Sequence, residues 1–231
     1  MTSHAKSTSN FETDDDMDKQ ISDISRMEGL LQGRDLPSFC RYPIDRSITK
    51  FFMEETKAIA RASSLIIDTF DGLEASILSH IATLIPKVYA IGPVHALVKS
   101  RVGDVLSSSA PLCQEDRRCM TWLDYKQVGS VIYVSFGSLV KLTHDQFFEF
   151  WHGLVSCGKQ FIWVVRLDML TGEQGEHVIP TELEMGTKER GFIVEWAPQE
   201  EVLAHNVVGR FLTQCGWNSI VDKLIQDLRN L

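Results

Sequence analysis

Four short apolar runs, each rich in β-branched or aromatic residues, limit what this chain can fold into more than any other feature. They are Ser-Val-Ile-Tyr-Val-Ser-Phe at 130–136, Phe-Ile-Trp-Val-Val at 161–165, Phe-Ile-Val at 192–194, and the run from Val207 to Thr213. Runs this short and this uniformly apolar suit strands buried on both faces rather than helices. Between the first two, Thr143 is placed to cap a helix carrying Phe147, Phe150, Trp151, Leu154 and Val155 at helical spacing. A short helix at 199–204 separates the last two. Strands alternating with helices require a parallel sheet covered by helices, so this part of the chain is expected to be half of a Rossmann-like domain.

The same rhythm appears upstream. Ile48, Phe51, Phe52, Ile59 and Ala62 recur at helical spacing, and Leu65-Ile66-Ile67 follows as a short strand expected to be buried. A second helix carries Leu73, Ile77, Leu78, Ile81 and Leu84 and stops at Pro86. Residues 88–91 form another strand, ended by Gly92-Pro93. Periodicity is lost between about 99 and 118, where Ser107-Ser108-Ser109, Pro111 and Glu115-Asp116-Arg117-Arg118 read as a connection. The expected organisation is therefore a domain at 1–98, a linker at 99–118 and a second domain at 119–231. Residues 1–35, polar and with the acidic run Asp14-Asp15-Asp16, are expected to be a mobile lead-in. A length of 231 residues, at about 150 per domain, fits one domain plus part of another.

Charge and cysteine usage exclude several classes of function. The formal net charge is −8 and no basic block occurs, so nothing would drive the counterion release on which nucleic-acid binding depends. The longest uncharged run, 127–140, is shorter than the roughly 20 residues a membrane span needs, and the first ten residues lack a signal-peptide core. Cys40, Cys113, Cys119, Cys157 and Cys215 are odd in number and show no CxxC spacing, which suits reduced thiols in a cytoplasmic protein. Cys113 and Cys119 have no partners at metal-ligand spacing, so no metal is expected. GxGxxG, GxxxxGK[ST] and GxSxG are all absent.

In an open α/β sheet, ligands bind at the carboxyl ends of the strands, where helix N-termini direct N–H groups at anions. Three segments of this chain reach that edge. In Phe136-Gly137-Ser138, Gly137 permits a tight turn and Ser138 offers a hydroxyl and an N–H. In Trp196-Ala197-Pro198-Gln199, Pro198 suits the first turn of a helix and the Trp196 indole could stack on a flat base. In Gln214-Cys215-Gly216-Trp217-Asn218-Ser219, Asn218 or Ser219 is expected to cap a helix whose N–H groups face a phosphate.

Taken together, these segments resemble one family. Trp196-Ala197-Pro198-Gln199, Val202-Leu203-Ala204-His205, Val208-Gly209, Phe211-Leu212-Thr213 and Cys215-Gly216-Trp217-Asn218-Ser219 are similar to the first half of the signature of plant UDP-glycosyltransferases. Trp122-Leu123-Asp124, residues 130–138, Thr69-Phe70 and Arg34-Asp35-Leu36-Pro37-Ser38-Phe39 extend the resemblance over about 35–222. Phe150-Trp151-His152-Gly153-Leu154 resembles the branch that contains iridoid glucosyltransferases.

The resemblance implies a GT-B fold of two Rossmann-like parallel-sheet domains, the first binding the acceptor and the second a UDP-sugar. Here both are expected to be incomplete, the chain being truncated at both ends relative to the family. The implied reaction transfers glucose from UDP-glucose, with inversion and without metal or cofactor, to a hydroxyl or carboxyl of a small hydrophobic acceptor such as a terpenoid or phenolic. By position, Trp196 would stack on uracil, the Ala197 backbone would bond the base, and Gln199 would reach the ribose. Ser138, Asn218 and Ser219 would hold the diphosphate, with Trp217 near the sugar.

Two departures weaken the implied donor site. Gln214 stands where the family usually has His, and Asp222 stands where it has Glu on the ribose hydroxyls. After Asp222, Lys223-Leu224-Ile225-Gln226-Asp227-Leu228 replaces the rest of the signature, including the Asp-Gln pair that holds the sugar. The family's catalytic His and its Asp partner would precede Met1, and neither His4 nor His152 matches their context, so no catalytic residue is assigned within the chain. The 231 residues alone are therefore expected to be inactive. The rival reading is a non-catalytic homologue that binds nucleotide weakly or acts by association.

Overall fold

In the computed structural model, which describes residues 17–22, 29, 31–37, 40, 47–102, 114–166, 168–170, 187 and 190–229, the chain divides into two units, Met1–Gly103 and Asp104–Leu231.

The first unit contains α1 (Ser47–Ile59), β1 (Leu65–Ile67), α2 (Asp71–Leu84), β2 (Val88–Ala90) and α3 (Val94–Val102). β1 and β2 pair in parallel, Leu65 opposite Val88 and Ile67 opposite Ala90. The expectation of a buried strand here is corrected. Side chains alternate across a strand, and although Leu65 and Ile67 are half-buried on one face, Ile66 is 65% and Tyr89 51% exposed on the other. Within the segment expected to be a mobile lead-in, Gln20 bridges Gln32 antiparallel, Ile21 N–H donates to the Leu31 carbonyl at 2.8 Å and Gly33 N–H to that of Lys19 at 3.0 Å. His4 and the acidic run at 14–16 lie outside the described residues. α3 has no counterpart in the sequence reading, because its apolar residues follow no clear helical period.

The second unit contains α4 (Arg118–Asp124), β3 (Val131–Ser135), α5 (His144–Ser156), β4 (Gln160–Val164), β5 (Gly191–Val194), α6 (Gln199–Ala204), β6 (Val208–Thr213) and α7 (Trp217–Arg229). All the strand pairs are parallel and the order is β5-β4-β3-β6. The strand alternation divides the core in two. Val131, Tyr133, Ile162 and Val164 join Leu123 of α4 and Val202 and Leu203 of α6, while Val134, Phe161 and Trp163 join Phe147 and Leu154 of α5. Both faces are covered at β3 and β4, as their apolar runs require. At the edge strand β6, Gly209, Arg210 and Leu212 are exposed, which corrects the expectation that the run from Val207 to Thr213 is buried on both faces. The rings of Phe147 and Trp163 stack at 4.7 Å, adding about 0.5–1.5 kcal/mol to what their burial contributes.

Helix α5 starts as expected. Thr143 Oγ1 accepts from Gln146 N–H at 3.3 Å, and Gln146 Oε1 accepts from Thr143 N–H at 3.0 Å, a reciprocal capping box. Two expectations about helix starts are corrected. α7 begins at Trp217, so Asn218 and Ser219 stand inside its first turn rather than capping it, and Pro198 is the cap of α6 rather than its first helical residue. The buried side of α7 is mixed in character: Val221 and Ile225 are buried there together with Ser219, Asp222 and Gln226.

Candidate functional site

Because the four strands are parallel, the turns that follow them all emerge at one edge. These turns are 136–138 after β3, 165–166 after β4, 195–199 after β5 and 214–217 after β6. Three residues singled out from the sequence meet here. Gln199, the first residue of α6, donates through Nε2 to Asp222 Oδ2 at 2.8 Å and lies 3.5 Å from Ser219 Oγ, both on α7. Tyr133 of β3, which the sequence reading did not single out, approaches Gln199 Oε1 through its hydroxyl at 3.5 Å. Burial pushes the Tyr133 phenol well above its ordinary value, so it remains a neutral donor that holds the Gln199 amide with its nitrogen toward Asp222. An amide donor beside a carboxylate acceptor matches the paired hydroxyls of a vicinal diol.

A second grouping lies at the β3 turn. Gly137 has φ +70, which glycine adopts without cost, and a Cβ at that position would come within 2.3 Å of Gln214 Nε2. Gln214 therefore lies against the turn that carries exposed Ser138, and its Oε1 accepts from Thr213 Oγ1 at 3.0 Å. Cys215 follows with φ 59, the left-handed region in a residue that is not glycine, at a cost of about 1–2 kcal/mol. That turn swings the chain into α7. The first hydrogen bond of the helix runs from Ile220 N–H to the Gly216 carbonyl, and the N–H groups of Trp217, Asn218 and Ser219 come ahead of it with no acidic side chain in the first turn.

Trp196 is half-buried, and its carbonyl accepts from Asp116 N–H at 2.8 Å, which ties the β5 turn to the start of α4. The Ala197 methyl is buried in the core. Trp217 is 38% exposed and Asn218 is exposed. Arg166 is a further residue at this edge that the sequence reading missed. It is buried, donates to the carbonyls of Gly137 and Val140, and bonds Asp168 at 3.0 Å, which holds the Asp168 carboxyl below its ordinary range. The only sequence signal was a charge closing an otherwise apolar run.

Cys119 is fully buried and its thiol is pushed up to about 11 by burial, which leaves no reactive thiolate there. Cys113 lies outside the described residues. Among the described residues no group of three His, Cys, Asp or Glu could hold a metal ion, and no helix is long and apolar enough to cross a membrane.

An open parallel sheet whose strand-end turns gather hydrogen-bonding side chains beside a helix N-terminus defines a ligand-binding α/β domain of the Rossmann class. The chain belongs to the UDP-glycosyltransferase family: residues 46–228 match the family described as UDP-glucoronosyl and UDP-glucosyl transferase. It is 44% identical over 214 residues to 7-deoxyloganetic acid glucosyltransferase of Catharanthus roseus, which covers 90% of this chain and 44% of that protein. It is 46% identical over 217 residues to Mogroside I-A1 synthase of Siraitia grosvenorii, 91% of this chain and 42% of that one. The chain thus spans less than half the length of these relatives. Among solved structures, Os79 of O. sativa in complex with UDP matches with a TM-score of 0.71 and 29% identity, over 85% of this chain and 43% of that one. UGT2 of Phytolacca americana, complexed with UDP-2fluoro-glucose and pterostilbene, matches with a TM-score of 0.66 and 30% identity over 85% and 41%. The fold class is GT-B, as the resemblance implied.

Proposed function

We propose that the protein is an inverting UDP-glucosyltransferase of plant small-molecule metabolism, and that residues 119–231 carry its UDP-sugar site while residues 1–98 belong to the acceptor side. The observation that carries this reading is the meeting of Gln199, Ser219 and Asp222 at the carboxyl edge, beside the first turn of α7. Gln199 and Asp222 take the ribose hydroxyls, Trp196 stacks on uracil beside the Ala197 backbone, and Trp217 borders the sugar. Ser138, Asn218 and Ser219 hold the diphosphate, with Gln214 beside it. As the glycosidic bond to the diphosphate breaks, the charge left on the diphosphate is drawn to the N–H groups of α7 and the Ser138 turn, without a metal.

The acceptor is a small hydrophobic terpenoid or phenolic with a hydroxyl or carboxyl group. A relative named as a 7-deoxyloganetic acid glucosyltransferase and a neighbour solved with pterostilbene support that class. We place the reaction in the cytoplasm on the strength of the unpaired thiols. A general base must take the acceptor proton, and a His held by an Asp would suit. His205 and Asp124 form such a pair at 3.3 Å, but they stand at the opposite edge of the sheet and cannot reach the site. The polypeptide of these 231 residues, assayed by itself with labelled UDP-glucose and phenolic and terpenoid acceptors, is expected to form no glucoside above a heat-killed control.

The site is tested by calorimetric titration with UDP. Binding that Trp196→Ala weakens at least fivefold supports the assignment, and equal binding by parent and variant overturns it.

A further inference from the structure

Arg166 stands where an apolar strand ends, and its side chain is only 9% exposed. A guanidinium taken out of water must find acceptors for its donors. Nη1 donates to the Gly137 carbonyl, Nη2 to the Val140 carbonyl at 2.9 Å, and Nε to Asp168 Oδ1 at 3.0 Å. Both carbonyls belong to the turn that carries Ser138, and neither lies on the strand of Arg166 itself.

A trans peptide is planar, so the N–H of one residue points opposite to the carbonyl of the residue before it. With the carbonyls of Gly137 and Val140 held on the guanidinium, the N–H groups of Ser138 and Lys141 are aimed away from it. Neither peptide can flip without breaking a charge-assisted hydrogen bond. The other side of Gly137 is closed by the Gln214 amide, so the turn is fixed from two directions.

We infer that Arg166 is a positioning residue for the diphosphate of the donor: without touching the ligand, it sets the 137–140 turn so that the Ser138 N–H and hydroxyl face the anion. This rests on the UDP-sugar reading of the carboxyl edge.

The test measures affinity for UDP and for uridine in the parent, Arg166→Gln and Arg166→Lys. The ratio of the two affinities isolates what the diphosphate contributes. Arg166→Gln should lower that ratio about tenfold, and Arg166→Lys, which keeps the charge but can reach only one carbonyl well, about threefold, with uridine affinity within about twofold of the parent in both. A ratio unchanged in the variants overturns the inference, and so does an equal loss for UDP and uridine, which marks a purely structural role. Should Arg166→Gln fail to fold, Arg166→Lys decides alone. A parent that does not prefer UDP to uridine overturns the UDP-sugar reading and this inference together, whereas a parent that prefers UDP beside variants that keep that preference overturns this inference only.

Discussion

At the amino-terminal edge of the β5-β4-β3-β6 sheet, backbone closes on backbone. Gly129 N–H donates to the Asn206 carbonyl at 3.1 Å and Val131 N–H to that of Val207 at 2.9 Å, and a Cβ on Gly209 would lie 2.4 Å from the Gly129 carbonyl oxygen. His205 and Asp124 pin the same edge, with His205 Nδ1 placed to accept from Val207 N–H at 3.5 Å, which leaves Nε2–H for the carboxylate. At the carboxyl edge, side chains meet side chains: Gln199 with Asp222, Gln214 over Gly137, and a left-handed Cys215 between them. One sheet thus has an edge built for cohesion and an edge where strain and polar groups gather. A His–Asp pair therefore has to be judged by which edge it stands on before it is assigned any chemistry.

If the edges divide their work this way, substitutions should separate stability from ligand binding. The largest effect belongs to Gly209→Ala, whose methyl would drive into the Gly129 backbone. It should lower unfolding free energy by about 3 kcal/mol in urea titrations while the folded fraction keeps its UDP affinity. Next, Trp196→Ala should cost about 1–3 kcal/mol of UDP binding by calorimetry and leave the urea midpoint nearly unmoved. A variant of either kind that changed both quantities equally would erase the distinction between the edges.

Gln214→His should strengthen UDP binding by about 1 kcal/mol, since an imidazolium can offer phosphate a charge-assisted bond where the amide offers a neutral one. At the opposite edge, His205→Ala should reduce stability by roughly 0.5–1 kcal/mol and leave UDP titrations unchanged. The smallest effect concerns Asp116, whose carboxyl is held below its ordinary range by hydrogen bonding to Arg118. A depressed carboxyl contributes stability above its unfolded-state pKa and loses it as pH falls, so Asp116→Asn should flatten part of the stability loss below about pH 4. An acid titration of the urea midpoint would show this.

The strands at 131–135 and 160–164 and the helix start at Thr143 were legible because they depend on local pattern: apolar runs, a capping residue, a helical period. Gln199, Ser219 and Asp222 could be picked out by resemblance, but not their mutual contact, because α6 and α7 are brought together only once the strand that joins them, β6, pairs into the sheet. Arg166 was invisible in its role, since its carbonyl partners lie 26 and 29 residues away and carry no side-chain signature. Burial in the first unit was misjudged for a similar reason. Leu65-Ile66-Ile67 has the composition of an interior strand, but composition does not say whether a layer covers the face that Ile66 and Tyr89 occupy. The start of α7 was missed by two or three residues because a left-handed Cys215 does in that turn what a glycine would ordinarily signal.

The aromatic stack behind β4 also gives the protein an optical property. Trp163 is fully buried against Phe147, and its indole nitrogen has no hydrogen-bond partner, whereas Trp217 is 38% exposed and Trp196 half-buried at the far lip of the sheet. An indole in so apolar a setting emits toward the blue and is shielded from dissolved iodide, while those at the lip emit further to the red and are quenched. With Trp122 and Trp151 each replaced by Phe, the intrinsic fluorescence of this chain carries two separable signals, one following the integrity of the interior and the other following events at the strand ends.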